Sequence, residues 1–363
     1  MQSKPKSSEL QNVYIGIDVH LRQWHVAITQ GGITRKPFMQ SPSVEVLLNH
    51  LRKNYPDCKY YSAYEAGYCG FSVHRSLVEA GISNIVVNAA DIPHSDKERA
   101  RKTDSADSAK ISRELSKGTL RSVFIPSIEQ HNDRAYLRCR QMIVNDIRRI
   151  KARIRHALHT NGIAIPEEFP HGTWSKVFVS WLEKLCAQEL GGGVAAYLSS
   201  MLKTLSQQQT NLKNIETRIK TLMQSEKYQK NYMFLRTIPG MGEVTIHTIL
   251  LEGGDLSAFS SADKFCSFIG LVPDMHQSDN HNPNCSITQR RHKTMRYMFV
   301  ECAWRAIHID ESLSRCYAHY CRTMPKTKAI IRIANKLAKI TKFVLKNQTQ
   351  YVQKDRSTYK NLL

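Results

Sequence analysis

The sequence holds no C-x-x-C pair, although it has nine cysteines scattered singly from Cys58 to Cys321. An odd number without paired spacing argues against a disulfide framework or a zinc ribbon and fits a reducing compartment. The opening stretch "MQSKPKSSELQN" is polar and lacks an apolar core of signal-peptide type, so the expected location is cytoplasmic. No apolar run approaches the roughly 20 residues that span a bilayer, so no membrane partner is expected. Neither "GYCGF" nor "IPGMG" has a P-loop lysine or dinucleotide-binding spacing, which disfavours nucleotide-cofactor chemistry. Solenoid-type repeats are also missing, and low complexity is confined to the short N-terminal tail.

Acid is scarce relative to base. The 363 residues carry 52 Lys+Arg against 31 Asp+Glu, a formal net charge of +21. Such a surplus points to a polyanionic partner, because each neutralised phosphate releases counterions. An anionic membrane surface is the competing explanation. Hydrophobic content of 41% and a chain of this length allow a sizeable core and more than one domain.

Three regions separate along the chain. Residues 1–128 have α/β rhythm. "VYIGIDVH" and "WHVAITQ" read as strands around a turn at 21–23, "VEVLLNHLRKN" as a helix, and "YYSAYEAG" as a buried strand. "FSVHRSLVEAG" then reads as a helix with a glycine stop, "ISNIVVNAA" as a strand, and 96–118 as a helix. Residues 129–230 read as long amphipathic helices, an antiparallel hairpin or coiled coil, broken by prolines near 166–170 and by "GGG" at 191–193. Residues 231–363 read as a mostly α-helical domain. Its last helix begins at Pro325, with an apolar stripe of Ile330, Ile333, Leu337, Ile340 and Val344. A basic stripe of Arg332, Lys336, Lys339, Lys342 and Lys346 lies opposite.

The scarce acids are placed suggestively. Alternation in "VYIGIDVH" sets Asp18 on the face opposite Ile15 and Ile17. Glu65 ends the next buried strand, and Asp104 and Asp107, at i and i+3, share one helix face. Acid on a central strand, acid at a neighbouring strand end and acids on a later helix is the order of ribonuclease H-like nucleases, where carboxylates hold two divalent cations around a phosphodiester. Hard oxygen ligands suit Mg²⁺, and like charges so crowded persist only when cations neutralise them. Taken singly, each acid also reads as an ordinary turn or solvated residue.

Several separated stretches, "YIGIDVH", "YEAGYCGF", "VVNAADIPHSDKERARKTDSADSAKISREL" and "IPGMGEVTIHTILLEGGDLSAFSSADKFCSFIGLVP", resemble the insertion sequence 110 family of transposases and the related pilin-inversion recombinases. The resemblance runs from Tyr14 to about Tyr351. It implies a RuvC-like, ribonuclease H-type N-terminal domain whose DEDD acids fall on Asp18, Glu65, Asp104 and Asp107. It also implies a C-terminal transposase domain with a serine nucleophile, which falls on Ser278 in "HQSD". A noncoding guide RNA from the element, pairing with donor and target DNA, is implied as a partner. So are assembly as a dimer of dimers and residence at a prokaryotic nucleoid.

The chain departs from the family pattern twice: Asp279 stands where a glycine follows the serine, and Arg291 stands in the glycine position of a downstream "ITQRRH". Ser286 is the alternative nucleophile. A junction-resolving nuclease that uses water and a degenerate nucleic-acid-binding relative stay open as alternatives.

Candidate nucleic-acid contacts lie in four places. Arg101 and Lys102 precede the paired acids. Arg148, Arg149 and Arg153 belong to a basic helix that also carries Arg134, Arg138, Lys151 and Arg155. Gly240 and Gly242 in "IPGMG" resemble half of a helix-hairpin-helix, or else form a tight turn that permits close packing. Arg290, Arg291, Lys293 and Arg296 follow the proposed nucleophile.

Overall fold

The structure, a computed structural model, describes residues 10–93, 104–170, 172–273, 287–288 and 291–353. The chain divides into two compact units, Met1–Ile125 and Pro126–Leu363.

The first unit is a mixed sheet with helices on both faces. Strands β1 (Gln11–Val19) and β2 (Trp24–Gln30) form an antiparallel hairpin, and β5 (Cys58–Glu65) and β6 (Ser83–Val87) extend it in parallel. The order is β3-β2-β1-β5-β6, where β3 is Ile33–Thr34 and β4, Phe38–Gln40, pairs with β2. Those two short strands are absent from the sequence-based expectation because neither is long enough to show a period.

Val13, Ile15 and Ile17 point to one face of the sheet. There they pack with Leu47 and Leu51 of α1 (Val44–Asn54) and Leu77 of α2 (Ser72–Glu79). Ser43 caps α1 by accepting from the Val46 amide, which fixes where that helix starts.

The opposite face takes α3 (Asp104–Ser116). Ile111 of α3 joins Ala63 and Val87 in a small core, and Ser112 Oγ meets Thr29 Oγ1 of β2 at 2.9 Å. Gly16 permits this seating. A methyl group at Gly16 would lie 2.0 Å from Ser108 O and 2.5 Å from Ser112 N, both backbone atoms of α3. Of the helix expected over 96–118, the part before Asp104 lies outside the described residues.

The second unit is helical. In it α4 (Ile128–Thr160) and α6 (Gly192–Met223) run antiparallel, with α5 (Lys176–Gln188) against their far half. Ile147, Ile154 and Leu158 of α4, Phe178 and Leu182 of α5, and Leu198 and Leu205 of α6 make that far core. The near ends of the hairpin, Leu137, Ile219 and Met223, join a larger core. The rest of that core comes from α7 (Glu226–Arg236), α8 (Glu243–Thr248), α9 (Ala262–Ile269), α10 (Lys293–Ile309), α11 (Glu311–Cys321) and α12 (Lys326–Asn347). The apolar stripe of α12 is buried as its spacing predicts. No helix among the described residues is long and apolar enough to cross a membrane.

Several arginines and lysines expected on basic faces are tied to partners within this unit. Arg134 is 8% exposed and donates to the carbonyls of Leu251 and Glu252. Arg138 grips the Glu252 carboxylate at 2.9 and 3.1 Å. Those carbonyls belong to a π-helical turn, Ile249–Gly253, whose irregular bonding leaves acceptors for a buried guanidinium. Lys151 and Arg155 lie over the Trp174 ring at 5.2 and 5.5 Å. Lys342 is buried and donates to the carbonyls of Leu256 and Phe259. Charge periodicity in sequence identified the faces and did not reveal the partners waiting for these five side chains.

Candidate metal centre and nucleic-acid interface

Strand register places the first two acids at the ends of adjacent strands, although the cluster of converging ligand atoms takes in Asp18 and Asp104 and not Glu65 or Asp107. In the parallel β1–β5 pair, Tyr14 faces Tyr61 and Gly16 faces Ala63, and one step past the Ile17–Tyr64 pair stand Asp18 and Glu65. Both therefore leave the sheet on the α3 side, at the ends of adjacent parallel strands. Asp104 and Asp107 arrive from above, in the first turn of α3. The seating of α3 on Gly16 fixes their height over the sheet.

Asp18, His20 and Asp104 each offer a ligand atom, and these atoms lie within 4.8 Å of one another. His20 Nε2 sits 3.1 Å from Asp18 Oδ2 and 3.5 Å from Asp104 Oδ2. His25 of β2, directly opposite Asp18 in the antiparallel register, places Nε2 3.7 Å from Asp104 Oδ2. Burial pushes the Asp18 carboxyl above its ordinary value. His20 pulls it back, and the charges of Asp104 and Asp107 push it further up. The carboxylates thus repel one another through a partly buried space.

Carboxylate oxygens supplemented by imidazole nitrogen are a donor set that fits a hard or borderline divalent cation. A cavity of 480 Å³ lined by His20, Leu21, Arg22, Gln23, Tyr68 and Asp104 opens beside the cluster. The two histidines were missed in sequence. The signal available was the pair flanking the β1–β2 turn in "VHLRQWH". Their convergence on Asp104 depends on α3, far away in the chain.

Other candidate residues lie in the second unit. Arg148, Arg149 and Arg153 are exposed on α4, with Arg149 paired to Asp146 at 3.2 Å. Gly240 has φ +78°, and a methyl there would meet Cys302 O at 2.5 Å, so this glycine lets the turn pack on the α10 backbone. Gly242 caps α8 and carries no such constraint. Arg296 donates to Thr288 O at 2.7 Å, tying α10 to the segment before it. Lys293 opens α10. Arg291 is exposed just ahead of it. Ser278, Asp279, Ser286, Arg290, Arg101 and Lys102 lie outside the described residues.

Glu252 is the least expected group. It is buried, yet His292, with Nε2 3.7 Å away, and the hydrogen-bonded Arg138 guanidinium outweigh the cost of burial and bring its carboxyl down to about 2. Two family models match the chain. Residues 15–161 match the DEDD transposase model of IS110 type, and residues 232–318 match the model described as the transposase IS116/IS110/IS902 family.

Similar proteins include a putative transposase of Sinorhizobium fredii, 25% identical over 67% of this chain. That match spans 58% of the relative's own length. The transposase for insertion sequence element IS1111A of Coxiella burnetii is 24% identical over 78% of this chain and 77% of its own. The transposase for insertion sequence element IS1533 of Leptospira borgpetersenii is 24% identical over 68% of this chain and 70% of its own. The first model takes in Asp18, Glu65, Asp104 and Asp107, and the second takes in the turn at Gly240, Glu252 and Ser278. This chain belongs to the IS110 family of transposases.

Proposed function

We propose that the protein cuts and rejoins DNA when an insertion element moves, using Asp18, Glu65, Asp104 and Asp107 as the metal-holding acids and Ser278 as the nucleophile. The observation that carries this reading is the convergence of Asp18 and Asp104, with His20, at the C-terminal ends of two parallel strands. A mixed sheet with an antiparallel hairpin beside two parallel strands supports a RuvC-like assignment for residues 1–128. Residues 129–230 then serve as a helical spacer, and 231–363 as the serine-bearing transposase domain.

The cation, one Mg²⁺ or a pair, would be held by the four acids and would supply Lewis-acid charge stabilisation at a phosphate. The chain's own residues do the rest. Asp18 and Asp104 hold a fixed spacing because one sits on a sheet strand and the other on a helix locked over Gly16. His20 is hydrogen-bonded to Asp18, and His20 and His25 border the Asp104 carboxylate at 3.5 and 3.7 Å from the sheet side.

Attack of Ser278 Oγ on a phosphate forms a phosphoserine bond and releases a DNA hydroxyl. Attack by a DNA hydroxyl on that bond reseals the strand and returns the serine, without an external energy source. A serine hydroxyl is a poor nucleophile unaided, which explains why such a residue needs the distant acids. The basic stretches show no base-reading pattern, which supports delegating sequence choice to a structured guide RNA. Donor and target duplexes are then both bound, and a dimer or tetramer brings acids and serine from different subunits together.

The test compares wild type, Asp104→Asn and Ser278→Ala on a nicked cognate substrate with Mg²⁺. Both variants are expected to lose strand cutting. Normal cutting by Ser278→Ala overturns the serine assignment in favour of water, and normal cutting by Asp104→Asn overturns the metal centre.

A further inference from the structure

In the second unit a groove of 850 Å³ runs between α4 and α10, lined among others by Arg148, Gly242, Lys293, Tyr297 and Arg305. Lys293 and Tyr297, at i and i+4 of α10, share one face, and Arg305 lines the same groove about two turns on. Arg148 faces them from α4, and the Gly242 position approaches Arg305 Nη1 to 3.9 Å. With Arg140, which is paired with Glu216 at 2.8 Å, the lining carries four cations against two carboxylates, Glu243 and Glu301. Glu243 is already matched by Lys220 at 3.6 Å and Arg236 at 3.8 Å. Between the cations, Tyr297 is 57% exposed, an unusual position for a ring with no core role.

From this geometry we infer that the groove holds an unpaired single strand of DNA, with Tyr297 stacking on a base while Arg148, Lys293 and Arg305 follow the phosphates. A duplex hides its base faces, and an exposed ring flanked by cations matches a base turned out of pairing.

DNA is favoured by where the groove lies on α10. Pro273 and Ile287, which flank the segment that contains Ser278, are joined by an antiparallel bridge. Thr288 N donates to Val272 O at 3.2 Å and Arg296 Nη1 to Thr288 O at 2.7 Å. The residue after that segment is thus fastened to the start of α10, the helix that also presents Lys293 and Tyr297. The groove and the flanks of the Ser278 segment thus share one helix, which supports a strand of the DNA being cut as the occupant. This inference rests on the proposed function, since it takes Ser278 as the attacking group.

The test is fluorescence anisotropy on the full chain without divalent cation, so that it reads binding alone and is independent of cutting. Probes are a roughly 16-nucleotide single-stranded DNA, the RNA of the same sequence and the corresponding DNA duplex. Tyr297→Ala is expected to weaken single-stranded DNA binding about 10-fold and to leave the duplex unchanged, while Tyr297→Phe keeps wild-type affinity. Arg148→Ala and Arg305→Ala are expected each to lower the salt dependence of single-strand binding by about one phosphate contact. Exposure of Tyr297 makes the variants safe for folding, which thermal melting verifies. Single-strand affinity within twofold of wild type in Tyr297→Ala, or an equal loss on the duplex, overturns the groove's assignment. A Tyr297-dependent preference for the RNA overturns the choice of DNA.

Discussion

Replacing Gly16 by alanine separates the seating of α3 from the chemistry of its acids. The added methyl would stand 2.0 Å from Ser108 O, whereas ordinary contact begins at 3.4 Å. The difference of about 1.4 Å has to be absorbed, and both obstructing atoms are backbone, so no side chain can swing aside. The helix must lift or tilt, and Ser108 directly follows Asp107. The lift therefore carries Asp104 and Asp107 away from Asp18, whose cluster spans only 4.8 Å. Overpacking of this kind costs about 1–3 kcal/mol, and a displacement near 1 Å in a reacting constellation costs about 100-fold in rate.

The assay is single-turnover strand cutting in Mg²⁺ alongside thermal melting. Gly193→Ala serves as control, since that glycine lies within α6 with nothing within 4 Å of an added methyl. Gly16→Ala is expected to melt lower and cut about 100-fold more slowly, with the control unchanged or slightly more stable. Cutting at the wild-type rate in a folded Gly16→Ala protein would refute the claim that α3 sets the height of the acids.

Other outcomes are expected from the second unit. Glu252 has its carboxyl lowered to about 2, so its contribution is fully present above about pH 4.5 and is lost as pH falls toward 2. Its size is at most about 3 kcal/mol, and the urea midpoint of Glu252→Gln is expected to change less between pH 7 and pH 3 than that of wild type. Gly240→Ala combines φ +78° with a methyl 2.5 Å from Cys302 O and is expected to destabilise this unit by about 2 kcal/mol or more in chemical denaturation. Lys342→Met removes the lysine donor to Phe259 O, while Leu256 O keeps the Phe259 amide, and is expected to cost about 1–3 kcal/mol, where a surface lysine would cost almost nothing.

Two members of the carboxylate cluster, Asp18 and Asp104, are legible because the information is local. Period-two alternation placed Asp18 opposite Ile15 and Ile17, and i, i+3 spacing placed Asp104 and Asp107 on one face. What escaped depended on contacts distant in sequence. His20 and His25 look like an unrelated turn residue and strand residue until α3 brings Asp104 above them. Arg134 and Lys342 look solvated because their acceptors are carbonyls of irregular turns, which leave no mark in composition. Gly16 looked like one small residue in an apolar strand, and only the approach of α3 shows why nothing larger fits. The π-helical turn at Ile249–Gly253 followed the same pattern, since its sequence reads as ordinary helix.

The most direct measurement traps protein–DNA adducts on a nicked cognate substrate with Mg²⁺, digests them, and locates the modified peptide by mass spectrometry. The account predicts a phosphodiester on Ser278 in wild type and no adduct with Asp18→Asn or Asp104→Asn. Cleaved DNA with no covalent adduct, or an adduct that forms undiminished in the Asp104→Asn protein, would contradict it.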